Sequence, residues 1–178
     1  MIGVLVSGTG TNLQALLDAD LPVVAVASNR RDAPALARAH NLATEAFVVG
    51  DYADRDERDA AMADWLERQG VRIVVLAGYM HLLTSAFLDR FPDAVVNVHP
   101  SLLPEFPGAH AVEDQLAAGV AEAGATVHLV DEGVDSGPIL AQERVAVLDG
   151  DTPETLHARI QEIEHRLLPR VVGELCAR

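Results

Sequence analysis

The first hundred residues alternate short apolar runs with amphipathic stretches. Ile2 to Val6, Pro22 to Ala27, Ile73 to Ala77 and Ala94 to Val98 are rich in β-branched residues and end at turn formers, so they are read as strands. Thr44 to Val49 is a weaker fifth. Asn12 to Asp18, Pro34 to His40, Arg55 to Gln69 and Thr84 to Phe91 carry the helical pattern between them. In the third of these, Asp54 is the expected N-cap with Glu57 three residues on, and Ala61, Met62, Trp65 and Leu66 share a face. Strands alternating with helices imply parallel pairing through right-handed crossovers.

After Pro100 the pattern changes. A proline-rich loop, Ser101 to Gly108, leads to a short helix at Ala111 to Ala118, then two extended runs, Thr126 to Val130 and Ile139 to Val147. A closing helix is expected from Thr152, with Pro153 at its first position and Leu156, Ile160, Ile163, Leu167 and Val171 as one buried stripe. The expectation is an α/β fold: an open, mostly parallel twisted sheet with helices on both faces and antiparallel strands in the C-terminal part. It forms one domain, 1–178, with no repeat, low-complexity segment or linker.

Composition narrows the picture. A chain of 178 residues, 49% of them hydrophobic, buries roughly 70% of its unfolded surface without staples. No apolar run approaches the ~18 residues of a membrane span. The chain reaches its first strand at once, leaving no room for a signal peptide, and Cys176 is the only cysteine. A cytoplasmic protein without internal disulfides is expected. The net charge of −14 argues against a nucleic-acid partner. All 13 basic residues are arginine, which excludes a Schiff-base or P-loop lysine. The oligomeric state stays open, a homodimer included.

Three segments carry candidate chemistry. Ser7-Gly8-Thr9-Gly10-Thr11-Asn12-Leu13 joins the first strand to the first helix, where glycines and free N–H groups suit a phosphate. It is not a dinucleotide fingerprint, because Leu13 takes the third glycine position and no acidic residue closes the second strand. Asn97-Val98-His99-Pro100-Ser101-Leu102-Leu103-Pro104 follows a strand, and alternation sends Asn97 and His99 to one side. An amide donor beside an imidazole suits acyl chemistry, the one stabilising an oxyanion and the other moving protons. Asp131-Glu132-Gly133-Val134-Asp135-Ser136-Gly137-Pro138 reads either as a polar turn or as the source of a carboxylate that orients His99. The seven histidines are scattered, with neither H-E-x-x-H nor a helical pair four apart, so no metal site is expected. G-x-S-x-G is absent too.

Together these segments resemble the 10-formyltetrahydrofolate-dependent formyltransferases over nearly the whole chain. Val6 to Leu13 looks like the family's phosphate loop, and Val75-Leu76-Ala77-Gly78-Tyr79-Met80 like its folate-side strand end. Asn97 to Pro104 is similar to the shared signature, Asp135-Ser136-Gly137-Pro138 to the segment of the catalytic aspartate, and Gln161 to His165 to the Glu-His step. The resemblance implies a Rossmann-like fold and transfer of a formyl group from 10-formyltetrahydrofolate to the amine of glycinamide ribonucleotide, in purine synthesis. It implies Asn97, His99 and Asp135 as catalytic residues, Asp135 favouring the imidazolium form of His99. Gly10, Thr11, Asn12, Gln161, Glu162 and Glu164 would bind the ribonucleotide. The reduced folate would meet Arg55, Met80, His81, Leu82, Leu83, Asn97, Val130, Asp131, Glu132, Gly133, Val134 and Asp135. On this reading 1–98 is the phosphate-binding half and 99–178 the folate-binding and catalytic half, with no metal, nucleic acid or membrane involved.

Two positions depart from the pattern. His81 stands where many relatives have arginine, which leaves one less fixed charge for the folate tail. Ala109-His110-Ala111-Val112 leaves open which residue replaces a histidine often found in that loop. Alternatives are a deformylase that hydrolyses the cofactor, or a transferase acting on charged tRNA or a sugar nucleotide. Their usual extra domains do not fit this length. A non-catalytic nucleotide-binding module would need the glycine loop but not Asn97, His99 and Asp135.

Overall fold

The computed structural model describes residues 1–177. Seven strands form one sheet in the order β3-β2-β1-β4-β5-β6-β7. They are β1 (Ile2–Val6), β2 (Val23–Ser28), β3 (Ala43–Ala46), β4 (Ile73–Leu76), β5 (Val95–His99), β6 (Glu122–Leu129) and β7 (Ile139–Ala146). The first five pair in parallel, while β6 and β7 run antiparallel to their neighbours. The helices are α1 (Thr11–Asp18), α2 (Arg55–Arg68), α3 (Ser85–Leu88), α4 (Ala111–Ala118) and α5 (Pro153–Cys176). The expected α/β architecture is the one observed.

Each central strand is buried on both faces, so its successive residues feed two cores. Val4, Val6, Val26, Val75, Val96 and Val98 join α1 and α5 on one face. Leu5, Ala25, Ala27, Val74, Leu76 and Val95 meet Met62, Leu66 and Phe87, from α2 and α3, on the other. The stripe Leu156, Ile160, Ile163, Leu167 and Val171 is buried throughout, each residue 5% exposed or less. Thr152 caps α5 in a reciprocal box with Thr155, and Pro153 opens it. Asp54 caps α2 by accepting from the Glu57 N–H at 2.9 Å, and the Glu57 carboxylate accepts from the Ala53 N–H.

Some elements differ from the pattern reading. Pro34–Arg38 is a 3-10 helix rather than an α-helix to His40; Arg38 turns back to donate to the Thr9 carbonyl at 2.7 Å. Strand β3 ends at Ala46, and Val49 begins a single 3-10 turn. Thr84 to Phe91 keeps only one α-turn, Ser85–Leu88, and Phe87 and Phe91 pack together with centroids 5.2 Å apart. Strand β6 starts four residues earlier than Thr126, running through Gly124. A Cβ at Gly124 would lie 2.2 Å from the Glu143 carbonyl, so this glycine serves close strand pairing rather than a turn.

Candidate functional site

A cavity of about 550 Å³ opens along the C-terminal ends of β1, β4 and β5, where open α/β sheets bind ligands. One end is built by the β1–α1 loop. Gly10 has φ +76°, and a Cβ there would lie 2.6 Å from the Ala35 Cβ, so only glycine allows the turn. The loop delivers the first turn of α1 with neither a side-chain cap nor an acidic residue in that turn. Its N–H groups and dipole therefore face the cavity free for an anion. Ser7 ties the loop down, donating to Asn29 Oδ1 at 2.7 Å and accepting from the Met80 N–H at 2.9 Å.

Helix α5 closes the same end with His157, Gln161 and Glu164, spaced four and three residues apart on one face. Asn12 Nδ2 donates to Glu164 Oε2 at 2.9 Å, and Asn12 Oδ1 is buried without a partner. Burial pushes the Glu164 carboxyl up to about 7, against the smaller opposing effect of the Asn12 hydrogen bond.

The middle of the cavity holds the polar cluster. Strand β5 directs Asn97 and His99 to the face opposite Val96 and Val98. The β6–β7 connection folds back over that face and brings Asp135, at φ +52°, to both. Asp135 Oδ2 lies 3.3 Å from His99 Nδ1 and accepts from the Gly108 N–H at 2.8 Å. Asp135 Oδ1 lies 3.4 Å from Asn97 Nδ2. Burial raises the Asp135 carboxyl, but the two histidines around it and the Gly108 hydrogen bond outweigh it, leaving the group below the ordinary carboxylate range. His99 Nε2 lies 2.8 Å from the Phe106 carbonyl. Both its ring nitrogens thus face acceptors, and a proton on each satisfies both.

His128 completes the cluster and escaped the sequence reading. It stands opposite Asn97 in the β5–β6 register and is 2% exposed. Its Nδ1 lies 2.8 Å from the Leu129 carbonyl, which fixes the proton there; Nε2 then accepts from Asn97 Nδ2 at 3.2 Å. The reversed amide would set Asn97 Oδ1 against the Asp135 carboxylate, so this orientation is the one electrostatics selects. The signal lay in the alternation of Thr126 and His128, but using it required the strand register.

The other end is lined by Met80, His81, Leu82, Leu83, Val130, Asp131, Gly133 and Val134. Met80, Leu82 and Val134 are at least half exposed, an apolar mouth unlike an ordinary surface. Of the expected site residues, Gly10, Thr11, Asn12, Gln161, Glu164, Asn97, His99 and Asp135 also line the cavity. Three do not. Glu162 is exposed one helical step away from Gln161, Glu132 is exposed on its loop, and Arg55 sits outside the lining, bonding the Leu82 carbonyl at 2.6 Å. His110 is exposed at the start of α4 and does not line the cavity. Among the described residues no cluster of three metal-ligating side chains occurs.

An amide, an imidazole and a carboxylate thus converge in the middle of the cavity, between a bare helix N-terminus and an apolar mouth. Residues 1–172 match the formyl transferase family, and the chain belongs to it. It is 49% identical to the phosphoribosylglycinamide formyltransferase of Mycobacterium tuberculosis, over 97% of this chain and 83% of that protein. With the phosphoribosylglycinamide formyltransferase of Haemophilus influenzae it shares 40% identity, over 96% of this chain and 84% of the other. The crystal structure of glycinamide ribonucleotide transformylase 1 from Symbiobacterium toebii is 46% identical with a TM-score of 0.93, covering 96% of this chain and 84% of that one.

Proposed function

We propose that this chain transfers the formyl group of 10-formyltetrahydrofolate to the amine of glycinamide ribonucleotide, as a cytoplasmic enzyme of purine synthesis. The observation that carries the reading is Asp135 held against both Asn97 and His99, in a cavity with a bare helix N-terminus at one end and an apolar mouth at the other.

The division of labour follows from the two ends. The ribonucleotide phosphate meets Gly10, Thr11 and Asn12, with Gln161 and Glu164 near the sugar. A buried carboxyl that is half neutral at pH 7 repels the phosphate less than an ionised one. The folate lies against Met80 to Leu83 and Val130 to Asp135, and supplies the formyl carbon and the nitrogen that departs. Residues 1–98 thus contribute the phosphate loop, and 99–178 most of the catalytic and folate surface.

Asn97 donates one amide hydrogen to His128; the other, 3.4 Å from Asp135, is weakly held and is the one that turns to the formyl oxygen as it gains negative charge. His99 adds positive charge there through Nδ1, whose proton it shares with Asp135, since Nε2 is committed to Phe106. Asp135 holds the imidazolium in place and accepts the amine proton as the new bond forms, directly or through water, and that proton passes to the folate nitrogen as its bond to the formyl carbon breaks. Formyl transfer to glycinamide ribonucleotide, followed by folate absorbance with wild type beside His99→Ala, tests the proposal. Turnover requiring both the ribonucleotide and His99 supports it. Folate release without the acceptor would instead indicate a deformylase.

A further inference from the structure

Behind the folate end lies a buried polar group that none of the steps above uses. Arg58, on α2, is wholly buried, and its Nη1 lies 3.1 Å from His81 Nδ1. Its Nε is 2.6 Å from Asp59 Oδ1, while Asp59 Oδ2 accepts from the Thr84 N–H at 2.8 Å. Arg58 Nη2, Tyr79 Oη and Thr84 Oγ1 are buried beside it without hydrogen-bond partners. A guanidinium has five N–H donors, no acceptor, and does not deprotonate in proteins. The contact with His81 therefore has one sense: Arg58 donates and His81 Nδ1 accepts. That places the imidazole proton on Nε2, which makes no bond among the described residues.

We propose that Arg58 is a positioning residue that locks His81 as a neutral imidazole offering its Nε2–H to the cavity, so that an acceptor oxygen of the reduced folate is recognised by a neutral donor rather than by a fixed cation. The inference rests on the function proposed above for the identity of the ligand, but its tautomer does not. The groups facing His81 are Arg58, Arg55 and Asp59, with the Tyr79 ring edge-on at 6.0 Å. Burial and then the two arginines hold the His81 proton affinity below its usual value, against Asp59. Among the described residues no arginine lines the cavity. The Arg58 charge is thus held behind a histidine that transmits its direction but not its full field. Its signature is cosubstrate binding that stays level as the pH falls from 8 to 6.

The test has two parts. Long-range nitrogen–proton NMR on histidine-labelled wild type reads the tautomer directly. The expected pattern for His81 is protonated Nε2 and bare Nδ1, unchanged between pH 8 and 6. In Arg58→Met the Nδ1–H form gains population; should that variant fail to fold, the wild-type spectra still decide. Calorimetry with tetrahydrofolate reads the consequence. His81→Leu weakens binding roughly threefold to tenfold, the loss of one neutral hydrogen bond. His81→Gln, whose amide N–H sits near the same point, restores most of it. A wild-type His81 that is imidazolium at pH 7, or carries its proton on Nδ1, overturns the inference alone. So does unaltered binding in His81→Leu. Wild-type protein that takes up no tetrahydrofolate overturns the function proposed above, and with it the ligand named here.

Discussion

Glu164 allows a sharp test of how burial and the phosphate loop are coupled. The carboxyl is 4% exposed and has one recorded partner, Asn12. Desolvation lifts it from 4.5 to about 7 in the folded chain. At 1.36 kcal/mol per pH unit the shift amounts to about 3 kcal/mol. The folded state binds this proton more tightly than the unfolded state. The contribution is therefore fully present below pH 4.5 and is lost as the pH rises through about 7. Glu164→Gln keeps the shape of the neutral acid and an oxygen for Asn12, but removes the titration. The assay is urea unfolding of both proteins at intervals from pH 4.5 to 8, taking the difference at each pH so that other carboxylates cancel. The variant should gain on wild type by about 3 kcal/mol across that range, most of it before pH 7. A difference that stays flat with pH would refute the reasoning, since it would place the carboxylate in contact with water or a cation.

Other outcomes follow from the same geometry. His99→Ala should lower kcat by about 10²- to 10⁴-fold with unfolding midpoints little changed, measured by formyl transfer beside thermal melting. Gly10→Ala forces a side chain into a left-handed turn against Ala35 and should cost about 2–4 kcal/mol in denaturant unfolding. Thr152→Ala removes one arm of the α5 cap and should cost about 1 kcal/mol in the same assay.

The sequence carried the fold through two independent periodicities. Five strands appeared because residues such as Val74 and Val75 are apolar on both faces, and α5 because its stripe persists over Leu156 to Val171. What the pattern missed depends on contacts distant in sequence. Gly124 and Ala125 look like a loop until Glu143 is brought beside them. Pro34 to Arg38 looks helical until Gly10 and Thr9 fix where it must lie. In the site, Asn97 and His99 shared a side by alternation alone. Their meeting with Asp135 came only from resemblance, because a connection of several residues must fold back to make it. Glu162 was misplaced for a simpler reason: matching a motif by segment ignores the 100° between neighbours on a helix.

His128 shows what the antiparallel half of the sheet contributes. A parallel neighbour of β5 would arrive through a crossover, and its residues would continue toward the same edge. Because β6 runs the other way, it sets His128 directly across from Asn97 and then releases the chain to fold Asp135 over both. The imidazole bond takes one Asn97 hydrogen and leaves the other for the reacting oxygen. His128→Ala removes that acceptor and frees the amide to rotate, while the opposite face, with Val96, Val98 and Val127, stays intact. Losing one neutral hydrogen bond is worth about 0.5–1.5 kcal/mol, so kcat should fall roughly twofold to tenfold. KM for either substrate should move little, because neither phosphate loop nor apolar mouth is touched. Steady-state kinetics with each substrate varied separately checks the split. A rise in KM for the folate at unchanged kcat would instead make His128 part of the binding surface, and Asn97 would then need no partner to hold its orientation.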